Sequence, residues 1–184
     1  MRSVRVKICG LTRQADVDTA VTAGADALGF VFAKSPRQLD AASAAVLCRE
    51  IPADRRKIGL FMNQEAGEVE AILARTPLDM LQFHGDEGNA YCATFGLPFL
   101  KAVSMFEEDP QQVAARFPDA AGILLDAHQP GGAGGTGSTF DWTRSFASNK
   151  PVWLAGGLNP DNVAHAVRQF QPYAGDVSSG VVSA

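Results

Sequence analysis

The chain has 184 residues, 46% of them hydrophobic, a formal net charge of −4 and a pI near 5.3, which suits one core and a single domain over 1–184. The acidic balance excludes a nucleic-acid or anionic-membrane surface, and neither a signal region nor an apolar run of membrane length is present. Three cysteines, Cys9, Cys48 and Cys92, have no metal-ligand spacing and cannot all pair, which points to a reducing, cytoplasmic setting.

In chain order, Val4-Arg5-Val6-Lys7-Ile8-Cys9 predicts a strand over 4–9 that delivers a thiol to a turn at Gly10. Thr12 is placed to cap a helix over 13–23. A strand over 27–32 leads to Ser35-Pro36-Arg37, where a planar guanidinium suits a substrate carboxylate, a surface arginine being the plainer reading. A helix over 41–49 holds Cys48, and one over 89–95 holds Cys92; both thiols read as small buried hydrophobes. Strands over 57–61 and 80–83 flank a helix over 66–74. The second of these strands runs into Gln82-Phe83-His84-Gly85, with Gln82 and His84 on one face. His84 reads either as a polar pocket liner or as a structural histidine, while His128 and His165 have no comparable context.

A strand over 99–103, a helix over 110–117 and a strand over 122–125 follow, the last bringing Asp126 to its end. The longest stretch without a pattern is 127–139. Its glycine-rich part, 131–137, predicts a mobile loop over a pocket and lacks the lysine and helix of a P-loop. A helix over 140–146, a strand over 152–154, a helix over 162–170 and a strand over 176–178 complete the series. Eight strands alternating with helices predict parallel βα units closing into a small (β/α)₈ barrel, with an open doubly wound sheet as the alternative.

Alternation within such a barrel places Val6, Ile8, Ile123 and Leu125 outward, and Lys7, Cys9, Leu124 and Asp126 inward. The first and sixth strands lie three apart around the ring, so Cys9 and Asp126 are expected to face each other across the mouth. Gly156-Gly157 after the seventh strand and Ser178-Ser179-Gly180 after the eighth are ordinary turns if taken singly. Together, at the two strand ends where such barrels bind phosphate, they predict a phosphate site.

These segments carry a resemblance. Lys-Ile-Cys-Gly-Leu-Thr at 7–12, Gly-Phe-Val-Phe with Ser-Pro-Arg at 29–37, Gln-Phe-His-Gly at 82–85, Leu-Leu-Asp at 124–126, Gly-Gly-Thr-Gly and Phe-Asp-Trp at 134–142, Leu-Ala-Gly-Gly-Leu at 154–158 and Asp-Val-Ser-Ser-Gly-Val at 176–181 resemble, in order and end to end, the phosphoribosylanthranilate isomerases of tryptophan biosynthesis. The resemblance implies a (β/α)₈ barrel without cofactor or metal and a small phosphorylated substrate. It implies an Amadori rearrangement in which Cys9 is the general base, Asp126 the general acid and Arg37 holds a substrate anion, with His84 expected beside them as a substrate-contacting pocket liner. The Gly156-Gly157 and Ser178-Ser179-Gly180 loops match the family's phosphate grip. Lys7, inward below Cys9, is expected to favour its thiolate.

Two departures stand out. Val182 replaces the family's usual glutamate, and the chain ends at Ala184, ahead of the family's final helix. The expectation is a monomeric barrel short of that helix, with a gap beside the first and eighth strands open to self-association. Other phosphate-binding barrels are the nearest rivals, but they call for a Schiff-base lysine at a strand end or a histidine pair, and neither is present. A barrel that binds phosphorylated ligands without turnover, and a covalent Cys9 nucleophile, are the remaining readings.

Overall fold

The computed structural model describes residues 4–106, 109–127 and 139–181. Eight parallel strands close in sequence order: β1 (Arg5–Cys9), β2 (Ala27–Val31), β3 (Arg56–Phe61), β4 (Met80–Phe83), β5 (Phe99–Ser104), β6 (Gly122–Asp126), β7 (Val152–Leu154) and β8 (Ala174–Val177), with β1 pairing β8. The open-sheet alternative is thereby excluded. Helices α1 (Gln14–Thr22), α2 (Ala41–Arg49), α3 (Ala66–Leu73), α4 (Asn89–Ala93), α5 (Pro110–Ala115) and α6 (Val163–Phe170) wrap the outside.

Strand alternation creates two apolar layers. Ala27, Ile58, Leu100, Leu124, Trp153 and Ala174 fill the barrel, while Phe30, Phe61, Phe83 and Leu125 belong to the layer between barrel and helices. Both faces of these strands are covered, which is why β2, β4, β5, β6 and β8 are buried along their whole length. Phe61 stacks on Phe32 with centroids 5.2 Å apart, and Phe83 continues the aromatic layer at 6.0 Å from Phe61.

Local chemistry sets the helix starts. The Asp40 carboxylate accepts from the Ser43 amide at 2.8 Å to cap α2, and Asp109 accepts from Gln112 at 3.0 Å to cap α5, whose first residue is Pro110. The expected Thr12 cap is not formed. Arg13 occupies the cap position of α1 without a side-chain cap bond, and its guanidinium pairs with Asp16 at 2.8 Å.

The helix expected over 140–146 is also absent. Asp141 turns the chain by accepting from the Thr143 amide at 2.9 Å and its hydroxyl at 2.7 Å, a local bond that competes with helical pairing. Apolar spacing there serves a different end: Phe140 packs edge-on against Phe170, and Trp142 lies 5.9 Å from the His165 ring. The eighth strand starts earlier than its polar end suggested, at Ala174, because Ala174 and Gly175 pair with both β1 and β7. No helix among the described residues is long and apolar enough to cross a membrane.

Candidate active site

The carboxyl ends of the strands gather nearly every residue singled out above. Cys9 closes β1, Asp126 closes β6, His84 follows β4, Ser178 follows β8 and Gly156 follows β7 within two residues. Ring order puts β8 and β7 between β1 and β6, so the inward-facing thiol and carboxylate approach the mouth from different sides.

At the end of β1, Cys9 is buried, 6% exposed. Lys7, one inward position below, is fully buried and sits level with Asp176 on β8. Its Nζ donates to Asp176 Oδ2 at 2.9 Å and to Gln82 Oε1 at 2.8 Å. The buried ammonium is thus paired with a carboxylate and hydrogen-bonded, as burial of a charge demands. Burial alone would drive the lysine to give up its proton, but Asp176 and then Cys9 outweigh it and hold its pKa above the ordinary value.

For Cys9 the balance differs from the expectation of a favoured thiolate. Burial pushes the thiol above its ordinary value; Lys7 and, more weakly, Arg37 pull it down without cancelling that effect. Burial pushes Cys48 and Cys92 up to about 12, which Lys57 and Lys101 offset only in part, consistent with small buried hydrophobes.

Arg37 reaches the same spot from the loop after β2. Its Nη1 donates to Ser178 Oγ at 2.6 Å, and Ser178 in turn donates to the Cys9 carbonyl at 3.0 Å. The guanidinium is therefore tied to the β8 end beside Cys9 rather than lying loose on the surface. At the end of β6, Asp126 Oδ1 accepts from the Ala127 amide at 2.7 Å, and Oδ2 lies 3.0 Å from His84 Nε2. His84 is buried, and its Nδ1 lies 3.3 Å from Gln82 Nε2.

The two glycine loops form one surface. Gly156 and Gly157 have φ of +86° and +64°, the left-handed region, which turns the chain sharply after β7. A Cβ on Gly180 would sit 2.0 Å from the Leu158 carbonyl oxygen, so the single turn at Ser179–Val181 packs directly on the β7 loop. Ser179 and Gly180 stand partly exposed beside it. The expected mobile loop over 131–137, His128 and Val182 lie outside the described residues.

Sequence reasoning missed the part played by Asp176 and Gln82. Lys7 was already placed inside; a buried lysine needs an acidic partner on a neighbouring strand, and β8, with Asp176, is that neighbour. Lys101 is buried too, but on the outer side of β5, where it pairs with Glu87 at 3.2 Å and lies over the Phe117 ring. Among the described residues no group of three or more His, Cys, Asp or Glu side chains could hold a metal ion. An open groove lined by Arg5, Lys150, Val152, Arg168 and Tyr173 lies at the opposite, amino-terminal rim.

A family model described as N-(5'phosphoribosyl)anthranilate (PRA) isomerase matches residues 6–183. An N-(5'-phosphoribosyl)anthranilate isomerase of Thiobacillus denitrificans is 52% identical over 99% of this chain and 90% of the relative. One from Pseudomonas aeruginosa is 50% identical over 98% of this chain and 87% of its own. The crystal structure of phosphoribosyl anthranilate isomerase from Thermotoga maritima superposes with a TM-score of 0.87 at 36% identity, covering 99% of this chain and 91% of that one. A second such structure, in complex with reduced 1-(o-carboxyphenylamino)-1-deoxyribulose 5-phosphate, superposes with a TM-score of 0.83 at 33% identity, covering 99% and 90%.

Proposed function

We propose that in this chain, which belongs to the N-(5'-phosphoribosyl)anthranilate isomerase family, Cys9 is the general base and Asp126 the general acid of the family's aldose–ketose isomerisation. The reaction is an Amadori rearrangement of tryptophan biosynthesis. Asp126 donates a proton to the ribose ring oxygen and opens the ring to an imine. Cys9, ionised, takes the proton from C2, and the resulting enolamine tautomerises to the ketone. The electron sink for that abstraction is the iminium itself, so the residues needed are one acid and one base on different sides of the sugar.

The observation that carries this reading is the placement of Cys9 and Asp126, each buried and inward-facing, at the ends of β1 and β6. The surroundings support the roles. Lys7 and Arg37 supply positive charge beside the thiol, which favours the thiolate that takes the C2 proton, and His84 with the Ala127 amide surrounds the carboxylate left after Asp126 gives up its proton. The substrate phosphate belongs at Gly156-Gly157 and Ser178-Ser179-Gly180, where backbone amides are accessible to an anion. Arg37 holds the anthranilate carboxylate from the Cys9 side. A substrate of this kind matches the phosphorylated analogue named for the solved relative. In this reading residues 1–184 form one barrel domain, working as a monomer in the cytoplasm, where its free buried cysteines stay reduced.

Cys9→Ser and Asp126→Asn test the assignment by the fluorescence decay of phosphoribosylanthranilate. Each is expected to lose about 10²–10⁴ in kcat while binding a product analogue within a few-fold of the unaltered protein. Near-normal turnover by either variant would show that the residue is not the proton-transfer group.

A further inference from the structure

Lys7, Gln82 and His84 form a hydrogen-bonded line across the barrel interior from the base side on β1, and it ends with His84 Nε2 3.0 Å from Asp126 Oδ2 on the acid side at β6. Its polarity follows from donor and acceptor inventories. An ammonium only donates, so the Gln82 atom 2.8 Å from Lys7 Nζ must be the carbonyl oxygen Oε1. The amide cannot flip without setting two donors against each other. Its Nε2 must then face His84 Nδ1 at 3.3 Å, and because Nε2 only donates, Nδ1 must carry the lone pair. The histidine proton is left on Nε2, which lies 3.0 Å from Asp126 Oδ2.

We infer that Gln82 is a positioning residue that, braced by Lys7, locks His84 as the neutral Nε2–H tautomer, a fixed donor to the carboxyl of Asp126. The lock acts from one side only. Protonating Nδ1 would bring an N–H against the Gln82 amide N–H, with the Lys7 ammonium behind it, so the Gln82 amide holds the lone pair on Nδ1. Lys7 itself is anchored by Asp176 on β8 at 2.9 Å, which keeps the amide from turning.

The consequence rests on the reading of Asp126 as the acid. When Asp126 has transferred its proton, its two oxygens face two ready donors, Nε2–H of His84 and the Ala127 amide. As the carboxylate forms, the Ala127 bond strengthens and the nearby Nε2–H gains an anion to donate to, so both donors favour the transition state over the resting acid. A histidine that took the proton instead would compete with the substrate for it.

The test is ¹⁵N NMR of histidine-labelled protein, with the His84 signals assigned by their loss in His84→Gln. At neutral pH the unaltered protein is expected to show a bare Nδ1 and a protonated Nε2. Gln82→Glu replaces the donor by a carboxylate that can only accept, so Nδ1 should become protonated, and kcat should fall about tenfold or more with KM within about threefold. Gln82→Met, which neither donates nor accepts strongly, should give a mixture of tautomers. Finding Nδ1–H or an imidazolium in the unaltered protein, or a bare Nδ1 in Gln82→Glu, would overturn the lock. Unchanged turnover in Gln82→Glu despite an inverted tautomer would overturn the positioning role. Full turnover by Asp126→Asn would remove the acid assignment while leaving the tautomer result standing, so the two failures are distinguishable.

Discussion

Gly29→Ala probes the base through a contact rather than through its chemistry. Gly29 sits directly across from Cys9 in the β1–β2 pairing, and a Cβ there would lie 2.7 Å from Cys9 Sγ and 3.0 Å from Cys9 Cα. Ordinary non-bonded contact is about 3.5–4.0 Å, so the methyl overlaps the sulfur by about 1 Å. The neighbouring Cα is backbone, held by the Gly10 amide donating to the Gly29 carbonyl at 2.9 Å, which leaves the thiol as the group that must move. Overpacking of this kind costs about 1–3 kcal/mol, or roughly 2–12 °C in Tm for a domain of this length. A displacement of about 1 Å in a reacting group costs about 10² in rate. We therefore expect kcat to fall by about two orders of magnitude with the protein folded, measured by substrate fluorescence decay alongside thermal melting. Gly175→Ala is the matched control: its Cβ would meet only Leu158 at 3.7 Å, an ordinary contact, and activity should stay within a few-fold. A Gly29→Ala protein with normal kcat would refute the idea that the thiol must be held where the structure has it.

Lys7→Met should be strongly destabilising, because it leaves the Asp176 carboxylate buried without its 2.9 Å partner; about 3–5 kcal/mol is expected by chemical denaturation, with part of it recovered in Lys7→Met/Asp176→Leu. Because burial holds the Cys9 thiol above its ordinary value, thiolate accumulates only as the pH rises beyond that value. Alkylation of Cys9, followed by mass spectrometry, should titrate with a midpoint above about 8.5, and a midpoint below that would contradict the balance of burial over Lys7 and Arg37. Arg37→Ala should weaken substrate binding by roughly 1.5–3 kcal/mol while an analogue lacking the anthranilate carboxylate binds both proteins alike; an equal loss for both ligands would place Arg37 on the phosphate or in loop structure, where its bond to Ser178 already ties it.

What the chain discloses by itself follows from how local each cause is. Strand alternation and the ring order of eight βα units placed Cys9 and Asp126 before any coordinates, since inward parity and position around a closed barrel depend only on counting. The misreadings arose where a side chain answers to something distant or to its own backbone. Trp142 and Phe146 are four apart, as on one face of a helix, yet Asp141 bends the chain back on Thr143, and Phe140 and Trp142 instead lie against Phe170 and His165 of α6. Thr12 looked like a cap, but α1 begins after Arg13 with no side-chain cap. Lys7 was legible as inward, whereas its net effect on Cys9 was not, because that depends on how much water the folded barrel removes from the thiol. The role of Gln82 needed the actual amide orientation, which only the bonded partners on β1 and β4 define.

A crystal structure of this protein with reduced 1-(o-carboxyphenylamino)-1-deoxyribulose 5-phosphate tests the central claim most directly. The account predicts the phosphate on the amides around Gly156-Gly157 and Ser179-Gly180, C2 of the sugar chain within about 3–3.5 Å of Cys9 Sγ, and the oxygen corresponding to the ribose ring within hydrogen-bond reach of Asp126. A phosphate seated elsewhere, or a ligand with both reacting atoms turned away from Cys9 or from Asp126, would contradict it.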